Sequence, residues 1–156
     1  MKFKHVASFG IASFLLLGSV SATVMNPSIT QAAPSASVQR GNKEIISSST
    51  FVTIDRGHAT RGTAKIVVKD GQRYLQFDDN FKTGRGPDVQ VILHRNQEVP
   101  LNVSEENYIT LAPLESFDGS QSYAIPADLD LDEFGAVAIW CRRFNVTFGA
   151  ASLAGS

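Results

Sequence analysis

The chain has almost no means of covalent cross-linking. Cys141 is its only cysteine in 156 residues, so no disulfide can close within it and a fold stapled by cross-links is excluded. Neither charge sign is in excess: 14 Lys and Arg stand against 15 Asp and Glu, a net charge of −1. A nucleic-acid-binding domain would ordinarily carry a clustered basic face, and none is evident here. There is no Cys-x-x-Cys-His motif, which excludes covalently attached haem. Beyond the N-terminal region no apolar run approaches the roughly 20 residues of a membrane-spanning helix. Helix-period patterns are also scarce, so the apolar content has to be organised by strands.

What is present begins with an export pattern. Lys2 and Lys4 precede the apolar run "VASFGIASFLLLGSV", and small residues follow. Small-x-Ala cleavage points occur after Ala22 and near Ala32-Ala33, so residues 1–33 read as a signal peptide. Contact with a membrane is then confined to export, and the destination is the periplasm, the cell surface or the extracellular space. Loss of this segment would leave 123 residues at a net charge of −3, enough for one core. Residues 34–43 read as a linker, with the same Ser- and Gln-rich texture running on to about Ser49, and residues 44–154 as a single domain.

Strand signals dominate that domain. "GTAKIVVK" and "QRYLQF" flank Asp70-Gly71, a dipeptide suited to a two-residue hairpin turn. Closing the hairpin sets Lys69 opposite Gln72, Ile66 opposite Leu75 and Ala64 opposite Phe77, with Lys65 facing Gln76 on the other side. "DVQVILH" alternates Val89, Val91 and Leu93 with Gln90, Ile92 and His94. "NYITLAPL" and "SQSYAI" read as short strands, the latter bounded by Pro126. "LDLDEFG" reads as a turn or a single helical turn, and "AVAIWC" and "FNVTFGAA" as the last strands. The predicted fold class is all-β: an antiparallel sandwich or a partly closed barrel.

Cys141 sits between Trp140 and the pair Arg142 and Arg143. Cations stabilise a thiolate, the nucleophilic and metal-binding form of a thiol whose unperturbed pKa is about 8.5. Arg143 is about 6.6 Å along a strand from Cys141 and could turn toward the sulfur. The competing reading is that a lone cysteine packs as a small hydrophobe. If the strand continues without interruption, Cys141 shares the polar face with Arg143, Asn145 and Thr147. A bulge at Arg142-Arg143 would bury it beside Val137 and Ile139.

Three ordered segments carry a resemblance: "GPDVQVIL", "LESFDGSQSYAIP" and "VAIWCRRFNVTFGAASL". Together they resemble the DM13 domain over roughly residues 44–154. The resemblance implies a β-rich extracytoplasmic module belonging to an electron-transfer system. It also implies that Cys141 is the signature cysteine, acting as a bare thiol or as a ligand to a prosthetic group such as haem. On this reading Arg142 and Arg143 tune the thiolate and Trp140 shapes its pocket. The electron donor or acceptor would be a separate redox partner protein, because this chain carries no second domain. The alternative, of a different class, is a non-catalytic binding or adhesion module with a packed cysteine.

Other chemistry is weakly supported. His58, in "DRGHATRG", and His94, beside Gln90, are the remaining strong candidates for a haem ligand, but neither has a ligand-spaced partner, and both read as solvated histidines. "DLDLD" imitates a calcium loop but has Glu133 where glycine is required and Ile139 where glutamate is. Asp78, Asp79 and Asn80, with Asp88, could gather around a cation, though a solvated loop is the simpler reading. No metal site is predicted. "GRG" precedes a proline and a strand, so it is no phosphate cradle, and "GSQS" lacks the flanks of a nucleophile elbow.

Overall fold

The computed structural model describes residues 43–153. The predicted export segment and all but the last residue of the linker lie outside the described residues. Nine strands are laid down in chain order: β1 (Glu44–Thr50), β2 (Val52–Thr53), β3 (Thr63–Lys69), β4 (Gln72–Phe77), β5 (Val89–His94), β6 (Tyr108–Pro113), β7 (Gln121–Ala124), β8 (Ala136–Cys141) and β9 (Val146–Ser152). They form a four-stranded sheet, β1-β3-β4-β7, and a five-stranded sheet, β2-β9-β8-β5-β6. Every pairing is antiparallel. The sheets are open at their edges, so the architecture is a β-sandwich and not a closed barrel.

The β3–β4 hairpin has the register that its turn predicts: Lys69 pairs with Gln72, Ile66 with Leu75, and Ala64 with Phe77. Asp70 and Gly71 take the positive φ values, 52° and 79°, that such a turn requires. The Ser-rich stretch after residue 43 is an edge strand and not linker, since β1 pairs along β3 from Glu44↔Val68 to Thr50↔Thr63. Its serines conceal it because an edge strand has one row of backbone groups and much of its surface in water.

The main core lies between the sheets. Ala64, Ile66, Leu75, Phe77 and Tyr123 from one sheet meet Val89, Val91, Leu93, Val137, Ile139, Cys141 and Phe148 from the other. The Phe77 ring packs against Phe51 at 5.2 Å and Phe81 at 4.6 Å between centroids. Fully burying a side chain such as Leu75 or Phe148 stabilises by about 1.5–3 kcal/mol, and this is what holds a disulfide-free domain together.

A second, smaller core covers the far side of β5 and β8. It comprises Ile92, Val103, Ala138, Trp140 and Ala150, with Ile54, Val99 and Tyr108 packed on it. The segment between β5 and β6 supplies much of this cover: Thr147 donates its backbone N–H to Leu101 O at 2.8 Å and its hydroxyl to Pro100 O at 2.8 Å. Every residue of β5 and β8 is therefore buried. Two-sided burial explains why "AVAIWC" is apolar throughout. It also overturns the reading of His94 as solvated. His94 is 1% exposed, its Nδ1 meets the Asn96 backbone at 3.1 Å, and its Nε2 has no hydrogen-bond partner among the described residues.

Candidate functional site

Cys141 ends β8, and the chain then turns at once. Residues 142–145 form a turn and Cys141 pairs with Val146 across the hairpin. Neither an uninterrupted strand nor a bulge at Arg142-Arg143 occurs, because a four-residue turn reverses the chain there. Asn145 closes the turn at φ 51°, a backbone region asparagine tolerates better than most residues. The Asn145 side-chain oxygen accepts from Trp140 Nε1 at 2.9 Å and from Val103 N at 3.0 Å, and its amide donates to Val103 O at 3.1 Å. This turn sets parity: Cys141 joins Val146 in the main core, while Trp140 pairs with Thr147 on the opposite face.

The bulge lies further along, on β9. Pairing passes from Ile139↔Gly149 to Trp140↔Thr147 and leaves Phe148 as the extra residue. The Phe148 carbonyl, freed from the ladder, accepts from Ile54 N at 2.9 Å and Asp55 N at 3.2 Å. That tether delivers the short 3-10 turn Arg56–His58, capped by Asp55. The Asp55 carboxylate accepts from Gly57 N at 3.2 Å and from His58 Nδ1 at 2.5 Å. The His58 ring lies flat on Phe148, with 4.1 Å between centroids and 4° between planes. The hydrogen bond from His58, with that from Gly57, holds the Asp55 carboxyl below its ordinary pKa.

A cavity of about 440 Å³ opens here, lined by Asp55, His58, Arg85, Cys141, Phe144 and Phe148 among others. Its roof is the segment Gly84-Arg85-Gly86-Pro87. Both glycines are required by close approach. A methyl group on Gly84 would lie 2.6 Å from His58 Cβ. One on Gly86 would lie 2.9 Å from Val89 Cγ2, 3.1 Å from Phe148 Cζ and 3.5 Å from Cys141 Sγ. The roof is anchored ahead of Gly84, where Thr83 N donates to Phe117 O at 2.9 Å and the Thr83 and Thr60 hydroxyls meet at 2.7 Å. A second depression, of about 390 Å³, includes Lys65, Gln76 and Ser122 but no cysteine or histidine, so it offers no comparable chemistry.

The predicted site residues are thus dispersed around the sulfur in different ways. Cys141 is 1% exposed and borders the cavity. Arg142 is held by Asp88, through Nε at 2.8 Å and a guanidinium nitrogen at 3.3 Å, and its backbone N–H bonds Asp88 O at 2.9 Å. The Arg142 side chain keeps the Asp88 carboxyl below its ordinary pKa, with Gln90 assisting at 2.7 Å. Arg143 lies over the exposed Phe144 ring at 5.8 Å. Trp140 packs against Tyr108 on the other side of the sheet, 4.9 Å between centroids. The nitrogen-bearing side chains that line the cavity with Cys141 are instead His58 and Arg85. Arg85 also places its guanidinium over the Phe117 ring at 5.2 Å.

His58 is therefore not simply a solvated histidine: it is half-exposed, hydrogen-bonded and stacked. Sequence reasoning passed over its pairing with Asp55, for which the Asp-x-x-His spacing was the available signal. Two glycines around Arg85 were the signal for the roof. The acidic loops do not converge: Asp78 accepts from Thr63 N at 3.0 Å while Asp88 is occupied by Arg142. Among the described residues no three His, Cys, Asp or Glu side chains are grouped to hold a metal ion.

Haem can be tested against this geometry. Thiolate ligation needs the macrocycle plane directly above the sulfur. Cys141 is 1% exposed, and even a methyl group on Gly86 would lie 3.5 Å from its Sγ and 3.1 Å from Phe148 Cζ. The residues present therefore leave no room for a haem on Cys141 without displacing Gly86 or Phe148. They fit a thiol reached from a small cavity.

Residues 50–153 match the sequence profile of a family described as "Electron transfer DM13". No curated protein and no solved structure matches the chain.

Proposed function

The chain belongs to the DM13 electron-transfer family, and on that footing we propose an exported electron-transfer domain whose working group is the Cys141 thiol. The observation that carries the proposal is the cavity itself. It joins a sulfur to a hydrogen-bonded histidine and an arginine, beneath a roof whose glycine is needed for clearance. Convergent polar groups in a concave, largely apolar site are the usual form of a small reactive centre.

The chemistry that suits a single cysteine is thiol–disulfide exchange. The Cys141 thiolate attacks one sulfur of a partner's disulfide, the partner's S–S bond breaks, and a mixed disulfide forms at Cys141. The partner's second sulfur leaves as a thiolate and takes a proton. A thiol from a second partner then attacks the mixed disulfide and releases Cys141 as its thiolate. That attack falls on the first partner's sulfur and leaves the two partners joined by a disulfide. A second thiol of the reducing partner breaks this bond, closes its own disulfide and releases the first partner's remaining sulfur as a thiolate. Two electrons have then passed from a partner dithiol to the original disulfide. With no second cysteine in the chain, both halves of the exchange depend on separate redox partners. Export agrees with this, since disulfide-bearing partners persist in oxidising compartments.

The test is native-state titration of the thiol in the full chain with a small disulfide reagent, with Cys141→Ser as the control. Visible spectra are recorded with and without added haem. The proposal expects stoichiometric labelling of the folded protein and no absorbance band from haem bound through Cys141. A sulfur that stays inert until denaturant is added overturns it in favour of a packed cysteine, the reading that its near-complete burial favours.

A further inference from the structure

The geometry points to His58 as the proton acceptor for Cys141, with Asp55 as the residue that positions it and sets its tautomer. This inference rests on the reading of Cys141 as the working thiol.

Its first support is chemical. An ionised carboxylate only accepts hydrogen bonds, so the contact between Asp55 Oδ2 and His58 Nδ1 places a proton on Nδ1. In the neutral ring this leaves the lone pair on Nε2, which has no hydrogen-bond partner among the described residues. Nucleophile, imidazole and orienting carboxylate are the three roles by which an unactivated thiol or hydroxyl is made reactive. The second support is spatial. His58 covers the Phe148 ring, and the tip of that same ring lies with Cys141 Sγ against Gly86. Histidine and sulfur therefore border one cavity and share a wall. The assignment requires that the proton pass across this shared cavity directly or through one water molecule.

The third support is the set of surrounding charges. Asp55 and His58 come from the capped turn and Arg85 from the roof, while the Asp88–Arg142 ion pair lies beyond the ends of β5 and β8. The residues that β9 contributes to the cavity, Val146 and Phe148, carry no charge. No other imidazole lines the cavity. In the exchange, the proton leaves Sγ for His58 Nε2 as the thiolate attacks, and His58 returns it to the departing thiolate. No further co-reactant is needed.

Alkylation by iodoacetamide, a neutral probe, tests the assignment on the full chain between pH 6 and pH 10. His58→Phe keeps a ring to stack on Phe148 but removes both nitrogens. The expected result is a rate at pH 7 lower by about ten- to a hundredfold, with the deficit closing near pH 10 as hydroxide removes the proton unaided. Equal rates at pH 7 in a folded variant overturn the inference. Asp55→Asn gives a second route, with a smaller deficit of the same pH dependence expected. Nitrogen NMR of the unaltered protein reads the tautomer at neutral pH: a proton on Nδ1 of neutral His58 agrees, and one confined to Nε2 overturns. If the unaltered protein does not react at all while folded, it is the proposed function that fails. If it reacts at a rate indifferent to His58, only this inference does.

Discussion

Trp140 donates its indole N–H to the Asn145 side-chain oxygen at 2.9 Å, and this bond spans the turn that follows Cys141. The turn, more than the strands beside it, decides which core receives the sulfur. Replacing Asn145 separates two contributions. Asn145→Gly tolerates the positive φ but forfeits the bonds to Trp140 and Val103. It should cost about 1–3 kcal/mol for the buried groups left unpaired. Asn145→Ala should cost about 1 kcal/mol more, from left-handed backbone strain. Chemical denaturation of the two variants checks the order.

Gly86 governs clearance over the sulfur. Gly86→Ala introduces a methyl group 2.9 Å from Val89 Cγ2 and 3.1 Å from Phe148 Cζ. A loss of about 1–3 kcal/mol is expected from overpacking, together with slower labelling of Cys141 in the folded state. Labelling that is as fast as in the unaltered protein would show that reagents do not approach past Gly86.

Acid should loosen the site before it unfolds the domain. Asp55 and Asp88 both have pKa values below the ordinary carboxylate value, through His58 and Arg142 respectively. A depressed folded pKa contributes stability that is fully present above the unfolded value, about 3.9, and is lost as pH falls through the lower folded value. Thermal unfolding between pH 5 and pH 2 should therefore decline less steeply in Asp88→Asn than in the unaltered protein. Equal slopes would mean that the Asp88–Arg142 pair contributes nothing measurable.

At the alkaline end Tyr123 is the reporter. Burial pushes its phenol up to about 12. Its hydroxyl donates to Gln121 Oε1 at 2.5 Å and accepts from Glu115 N at 3.1 Å. The neutral form is the one the fold favours, so the associated stability is present below about pH 10 and is lost as pH rises toward 12. Burial also raises Tyr108. A phenolate absorbance titration should therefore show Tyr123 as the last step, at about pH 12, and Tyr123→Phe should remove that step while leaving the Tyr108 one.

Much of the sandwich is legible in the chain because its signals are local. Asp70-Gly71 dictates a turn, and the turn dictates every pair from Lys69↔Gln72 to Ala64↔Phe77. Pro126 and Gly86-Pro87 mark boundaries for equally local reasons. The site is less legible because it depends on long-range cover. Nothing near His94 announces that residues 95–107 fold back over its strand, so its polar neighbours suggest solvent. Cys141 presents the same difficulty: alternation along "CRRFNVTF" assigns its face only if the chain continues straight, and four turn residues change the parity. The Asp55–His58 pair and the Phe148 bulge lie some 90 residues apart in the chain, and only the folded ladder joins them.

The two-sided cover of β5 and β8 has a consequence for timing. The sulfur is seated on strands whose amide protons should be the last in the domain to exchange with solvent, since both faces are walled. The roof and the His58 turn are held by a handful of hydrogen bonds and can open locally at far smaller cost than global unfolding. Access to Cys141 is then a clock set by the roof and not by the stability of the domain. Two variants equally stable overall could differ widely in how fast their thiol meets a partner.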